Sequence, residues 1–237
     1  SLSFSASHHY SNNYNFVVKA DSLPLIRQQP EEFVTDVALD TLYVKRHDHV
    51  AVADIRIVPA NGEDSVWVQL ARDQSTFGWI NESQLLPSVV PDDPISQFIS
   101  IFSNIHLLIF LIVISVIAVG YLARKILKQN AHIVHFNDIN SLYPTLLAVI
   151  VALSAAFYAS IQLFAPETWR EFYFHPSLNP FSQPLLLNIF LVLVWAMLII
   201  AIATVDDVRR LLQPAEALLY LSGLAAVCAV NYIVFSV

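Results

Sequence analysis

The chain has 237 residues, of which 56% are hydrophobic and 13% are charged, against roughly a quarter charged in soluble domains. This composition indicates an integral membrane protein. Residues 1–94 carry six basic and thirteen acidic side chains, a net charge of −7, whereas residues 95–237 carry six of each. Because nucleic acid is bound by basic surfaces, the acidic N-terminal part argues against a nucleic-acid partner. With Cys228 as the single cysteine, an internal disulfide and a cysteine zinc site are both excluded.

Residues 1–14 are rich in Ser, Asn, His and Tyr, which predicts a flexible N-terminal segment unless it docks on another part of the chain. The sequence starts at Ser1 without an apolar export signal, although a domain that crosses a membrane needs one. We therefore expect a signal peptide, a lipoprotein-type leader or a further domain ahead of Ser1.

Residues 15–87 show the period-two alternation and the β-branched and aromatic enrichment of short strands. The pattern predicts a small β-barrel or half-open sheet of about five strands. The predicted strands are Phe16–Lys19, either Val34–Leu39 or Thr41–Val44, Val50–Val58, Val66–Ala71 and Thr76–Ile80.

Within this region, the stretch VWVQLARDQSTFGWINESQLLP resembles the closing half of a bacterial SH3-like domain, with Trp67 in one strand and Gly78-Trp79-Ile80 in the next. VVKADSLPLIR is similar to the opening strand of that family, but has Pro24-Leu25 where the family has Asn-Val. The resemblance covers residues 16–87. It implies an SH3-like β-barrel that acts as an extracytoplasmic binding or spacing module and not as an enzyme.

Trp67 and Trp79 are the candidate binding residues of this domain, because exposed aromatic side chains in a groove bind ligands. The alternative, which we favour, is that both side chains fill the core of the barrel.

Residues 88–94 predict a proline-rich linker, and Asp93-Pro94 is a favourable N-cap and first-turn pair for a helix. The next 29 residues, Ile95–Ala123, hold no Asp, Glu, Lys or Arg and predict one continuous helix whose polar first half lies above or within the lipid headgroups. Further spans are predicted at about 142–164, 184–205 and 217–237. The fold class is therefore an α+β membrane protein, with a small SH3-like β-barrel ectodomain followed by a four-helix transmembrane bundle over residues 95–237.

Basic residues flank alternate ends of these spans. Arg124, Lys125 and Lys128 follow the first span and Arg209 and Arg210 follow the third, whereas the loop 165–183 holds Arg170 alone. Cytoplasmic loops are enriched in Lys and Arg, so this distribution predicts a bacterial inner-membrane protein whose β-domain and C-terminus are extracytoplasmic.

The middle of each predicted span lacks ionisable side chains, which argues against a pump or an ion-coupled transporter. Small residues spaced four apart and three amides are candidates for helix packing, within the bundle, in a homo-oligomer or with a partner helix. The amides could alternatively form the floor of a site beneath the loop 165–183. These residues are Ala148, Ala152, Ala156, Ser160, Gln162, Asn188 and Asn231.

The loop 165–183 is the best candidate for catalysis, since Glu167, Glu171 and His175 could provide acid–base groups at the membrane surface. The same composition is typical of an interfacial helix, and the spacing matches no catalytic motif. His132 and His135 are a weak candidate pair for a metal ion, and we predict no cofactor.

We therefore favour a non-enzymatic, membrane-anchored interaction or assembly module whose β-domain binds a cell-envelope ligand or a partner protein. One alternative is an integral membrane enzyme that acts on lipid or envelope precursors through the loop 165–183. A third is a subunit of an oligomeric channel or transporter.

Overall fold

The computed structural model of the protein describes residues 2–32, 40–60, 63–103, 105–128 and 139–236. Two compact units divide the chain. The first, here called the β unit, comprises Ser1–Ile101 and Tyr173–Pro176, and the second, the helical unit, comprises Phe102–Phe172 and Ser177–Val237. The β unit therefore contains a short segment that lies far along the chain from the rest of it.

The described residues of the β unit form an antiparallel sheet of seven strands, in the order β3-β2-β6-β5-β4-β1-β7. Short 3-10 turns at Pro30–Glu32 and Leu86–Ser88 and three α-helices accompany the sheet. The strands are β1 (Asn15–Val18), β2 (Ser22–Ile26), β3 (Thr41–Lys45), β4 (His49–Ala60), β5 (Glu63–Ala71), β6 (Phe77–Asn81) and β7 (Val89–Pro91), and the helices are α1 (Leu2–His8), α2 (Glu82–Leu85) and α3 (Pro94–Phe102).

The predicted barrel is wrong and the alternative of a half-open sheet is confirmed, because the sheet is curled but open, with β3 and β7 at its two ends. Over the described residues it has seven strands instead of about five. The first additional strand, β2, lies within VVKADSLPLIR, the stretch that resembles a single SH3-like opening strand. The second, β7, lies in the predicted linker, where Pro91 is tolerated because β7 is an edge strand that pairs only with β1. Of the predicted strands, Val34–Leu39 lies outside the described residues.

The core of the β unit is formed by alternate residues of the strands, including Phe16, Leu25, Val52, Val68 and Leu70. Tyr10 belongs to the same core and is 1% exposed. The N-terminal segment, predicted to be flexible unless docked, is thus held by an aromatic side chain buried under the sheet.

The predicted helix over Ile95–Ala123 is wrong as a single element. Asp93 caps the start of α3 as predicted, since its Oδ1 accepts a hydrogen bond from the backbone N–H of Ile95 at 2.8 Å. Helix α3 then ends at Phe102, and a new helix begins at Ile105. Serine and asparagine side chains compete for backbone hydrogen bonds, which explains why a helix ends before Ser103-Asn104.

The helical unit contains α4 (Ile105–Lys128), α5 (Tyr143–Phe164), most of α6 (Pro166–Phe174), α7 (Leu185–Leu211) and α8 (Pro214–Ser236). Among the described helices α5, α7 and α8 are long and apolar enough to cross a membrane, three instead of the four predicted spans. They fit a membrane protein. The side chains of α4 are described only in part, and its role as a span stays a prediction.

Helix α5 packs against both α7 and α8, and α8 also packs against α4. The buried cluster between them includes Leu147 and Val151 of α5, Val208 of α7, and Tyr220 and Leu224 of α8. At the start of α5, the Ser141 hydroxyl donates a hydrogen bond of 2.8 Å to Asp207 of α7.

Candidate binding face of the β-sheet

Both predicted binding residues lie on the sheet face opposite the core. Trp67 and Trp79 alternate along their strands with Val68 and Ile80, which belong to the core cluster. Residues paired across antiparallel strands point to the same face, and Trp79 pairs with Gln69 while Trp67 pairs with Asn81. The two tryptophans are therefore diagonal neighbours on adjacent strands, a relationship that places Cα atoms about 7–8 Å apart.

A continuous row of paired residues crosses five strands on this face. Thr41 pairs with Ile26, Ile26 with Trp79, Trp79 with Gln69, and Gln69 with Asp54. Beside this row, Arg56 pairs with Trp67. We call the patch formed by Asp54, Arg56, Trp67, Gln69 and Trp79 the tryptophan face.

Arg56 covers Trp79, with its guanidinium carbon 5.0 Å from the ring centre. Its Nη1 donates to Gln29 at 3.0 Å and to Glu31 at 3.1 Å, and its Nε donates to Asp54 at 3.3 Å. The hydrogen bonds to Asp54 and Glu31 raise the pKa of Arg56 above its ordinary value. The contacts explain why Trp79 is only 2% exposed although it lies outside the main core, while Trp67 is half-buried.

Gln69 lies between these groups and is half-buried. The described residues provide no hydrogen-bond partner for its side-chain amide. The half-buried Trp67 ring and the Gln69 amide lie beside the Arg56 guanidinium, which covers Trp79, and beside the Asp54 carboxylate. Apolar and aromatic surface with a few hydrogen-bonding groups is the lining typical of ligand sites.

The predicted catalytic residues are divided between the two units, with Glu167 and Glu171 in the helical unit and His175 in the β unit. Glu167 accepts a hydrogen bond from Arg170 at 3.2 Å, and Glu171 is exposed. His175 belongs to the β unit, where its Nε2 donates to the backbone carbonyl of His9 at 2.9 Å. That hydrogen bond gives His175 a structural role in holding the N-terminal segment.

Phe174 and the backbone around it complete this contact within the β unit. Its ring lies 6.1 Å from that of Tyr10 and 5.9 Å from that of Tyr14. The Tyr14 hydroxyl donates to the carbonyl of Phe174, and the Ser96 hydroxyl donates to that of Tyr173 at 2.7 Å. The segment Tyr173–Pro176 is therefore part of the core that orders the N-terminus.

Sequence reasoning missed a second polar contact of the N-terminal segment. The Tyr10 hydroxyl donates to Glu82 at 2.7 Å, and Nε2 of His8 lies 3.5 Å from the other oxygen of that carboxylate. Burial, together with the hydrogen bond to Glu82, raises the pKa of Tyr10. The residues are 72 positions apart and share no local pattern, so the sequence carries no signal for this contact.

The small residues predicted to pack are not the most buried positions of α5. Ala148, Ala152, Ala156 and Ser160 are all half-buried, whereas the fully buried positions of α5 include Ser154 and Ala155. Ser160 donates to the carbonyl of Ala156 within its own helix.

The three amides do not share a site. Asn231 of α8 donates to the carbonyl of Ala148 of α5 at 3.3 Å, which is the predicted bond between helices. Asn188 accepts from the backbone N–H of Gln183 at 2.9 Å, and Gln162 bonds Tyr158 on its own helix. Ala148 and Gln162 are about 21 Å apart along α5. Asn231 therefore contacts α5 near one end, and Gln162 lies near the other end.

The candidate metal residues His132 and His135 lie outside the described residues. Among the residues that the structure does describe, no group of three or more His, Cys, Asp or Glu side chains could hold a metal ion. Comparison of the chain with protein-family models, with curated proteins and with solved structures gives no significant match.

Proposed function

We propose that this protein is a membrane-anchored binding module of the bacterial cell envelope. Its β unit faces the extracytoplasmic side and binds an envelope ligand or a partner protein through the tryptophan face. The observation that carries the proposal is the position of Trp67, Gln69 and Trp79 together on the face that the core does not use.

The chemistry of the face supports binding over catalysis. The Arg56 guanidinium is held by Glu31 and Asp54, so its position is fixed before a ligand arrives. Pre-positioned groups lose less conformational freedom on binding, which favours affinity.

The orientation in the membrane is part of the proposal and is supported by the distribution of basic residues, five against one, between the two sets of loops. The net negative charge of the chain, −7, lies in residues 1–94, which also disfavours anionic lipid or nucleic acid as a ligand of the β unit.

The test is site-specific photocrosslinking in intact cells, with a photoreactive amino acid at Gln69 of the full-length chain. We expect an adduct with one defined partner protein, or attachment to the isolated cell-wall sacculus, and we expect Trp67→Ala to abolish it. The matched control places the same amino acid at Ile57, which is 51% exposed on the opposite face of the neighbouring strand. The proposal is wrong if position 69 yields no adduct beyond those formed from position 57.

A further inference from the structure

Helix α3 places its polar side chains inward and its apolar side chains outward. Ser96 is fully buried, and its hydroxyl donates to the Tyr173 carbonyl at 2.7 Å. Ser100, one turn later, hydrogen-bonds the Tyr173 side chain. By contrast Phe98 is 59% exposed and Ile101 54% exposed, and Phe102 continues the same stripe at 38%.

The β unit fixes this orientation. Rolling α3 to place its apolar side chains inward would break the hydrogen bonds of both serines to Tyr173 and leave the partly buried Tyr173 carbonyl without its donor. The stripe follows the spacing i, i+3, i+4 of a single helix face. A contiguous exposed apolar face marks a surface that meets a membrane, a protein or a ligand.

We propose that the exposed face of α3 lies in the interface of the lipid bilayer and holds the β unit at the membrane surface. Only two residues, Ser103 and Asn104, separate α3 from the helix that begins at Ile105 and contains the uncharged run Leu107–Leu122. Three residue steps join Phe102 to Ile105 and span at most about 11 Å, so α3 must end close to the point where that run enters lipid.

The lipid contact is apolar and does not depend on headgroup charge. Helix α3 has no charged residue, and Asp92 and Asp93 precede it, whereas interfacial helices that recognise anionic lipid carry Lys or Arg. The helix would insert its apolar face by about 5–10 Å, between the headgroups and the acyl chains. This placement goes beyond the proposed function, since it holds whatever ligand the tryptophan face binds.

The test uses the full-length chain in nanodiscs, with the native cysteine removed by Cys228→Ser and one new cysteine labelled with an environment-sensitive fluorophore. The test variant is Phe98→Cys. Gln84→Cys, on an exposed residue of α2, reports water, and Ile199→Cys, 63% exposed on α7, reports lipid. Quenching by aqueous iodide and by a lipid with a spin label high on its acyl chain is measured at each position.

We expect the label at position 98 to be quenched by the spin-labelled lipid and to be several-fold less accessible to iodide than the label at position 84. The result should be the same in zwitterionic and anionic nanodiscs. Iodide access equal to that of position 84 overturns the proposal, as does protection that requires anionic lipid. Protection from both quenchers, together with disulfide-linked dimers of the unlabelled Phe98→Cys chain, would overturn the proposal and assign the face to a second copy of the chain. Failure of the lipid quencher at position 199 would instead contradict the membrane assignment of α7.

Discussion

The Arg56 guanidinium carbon lies 5.0 Å from the centre of the Trp79 ring, and the same side chain bonds Glu31 in the turn that follows β2. Arg56 therefore covers part of the tryptophan face and connects the turn that contains Glu31 to that face. Arginine stacked on tryptophan in this way is held by electrostatic attraction to the ring as well as by its ion pairs.

Replacing this arginine should uncover the ring beneath it. In Arg56→Ala, we expect Trp79 to become accessible, so that acrylamide quenches the tryptophan fluorescence of the full-length protein more strongly. The matched control is Arg27→Ala, which removes an exposed ion pair with Asp40 at 3.6 Å in the same unit and should leave quenching unchanged. Equal quenching in wild type and Arg56→Ala would contradict the contact.

Gly78 is required by close packing of β6 against β2. A Cβ at this position would lie 2.9 Å from the carbonyl oxygen of Ile26 and 2.9 Å from Cβ of Leu25. We expect Gly78→Ala to destabilise the β unit by about 1–3 kcal/mol, because the backbone must move to make room. The control is Gly223→Ala, where a Cβ meets nothing within 4 Å. Denaturant unfolding in detergent, followed by near-ultraviolet circular dichroism, measures both, and a neutral Gly78→Ala would contradict the packing.

Phe174 should be needed for order at the N-terminus. In Phe174→Ala, we expect the free energy of unfolding to fall by about 3 kcal/mol, the lower end of the range for replacing a buried phenylalanine by alanine. Hydrogen exchange of residues 9–16 should become faster, since Tyr10, Tyr14 and Phe16 lose a common aromatic neighbour. Phe181→Ala, at a position 85% exposed, is the control and should leave this exchange unaltered. Unchanged protection in Phe174→Ala would refute the role of the segment Tyr173–Pro176.

Tyr10 makes the stability of the β unit depend on alkaline pH. Because burial, with the hydrogen bond to Glu82, raises the pKa of Tyr10 in the folded protein, the folded state resists its ionisation. The stability that this linkage contributes is fully present below the pKa of about 10 that tyrosine has in the unfolded chain, and it declines as the pH rises above that value. We expect the free energy of unfolding, measured with a chemical denaturant, to decline between pH 9 and 11. In Tyr10→Phe this decline should be smaller. Tyr43→Phe, on a side chain 61% exposed, should not reduce it, and equal slopes in all three proteins would disprove the linkage.

The proposed orientation can be checked with a thiol reagent that does not cross membranes. In a Cys228→Ser background, Gln84→Cys lies in the β unit and Gln213→Cys lies between α7 and α8, both on exposed residues. We expect the reagent to label position 84 in cells whose outer barrier is permeabilised, and to label position 213 only after the inner membrane is disrupted. The reverse pattern would mean that the orientation is inverted.

Local sequence patterns predicted several elements well. The N-cap at Asp93 and the strand within Val66–Ala71 follow from rules that involve a few neighbouring residues, and the structure confirms both. The break between α3 and α4 was missed because the long absence of charge outweighed the weaker signal of Ser103-Asn104. Strand β7 was missed because a proline such as Pro91 is typical of a linker as well as of an edge strand.

By itself the sequence determined that this chain has an acidic β-rich part followed by apolar helices, because alternation and apolar run length depend only on the backbone geometry of strands and helices. Tertiary structure alone decided that the sheet is open, that Trp67 and Trp79 share its second face, and that Phe174 enters the core of the β unit. Strand order and register join residues far apart in the chain, and the entropy of closing such loops grows only slowly with their length. A contact such as that between Tyr14 and Phe174, 160 positions apart, is therefore selected by packing and not by any local pattern.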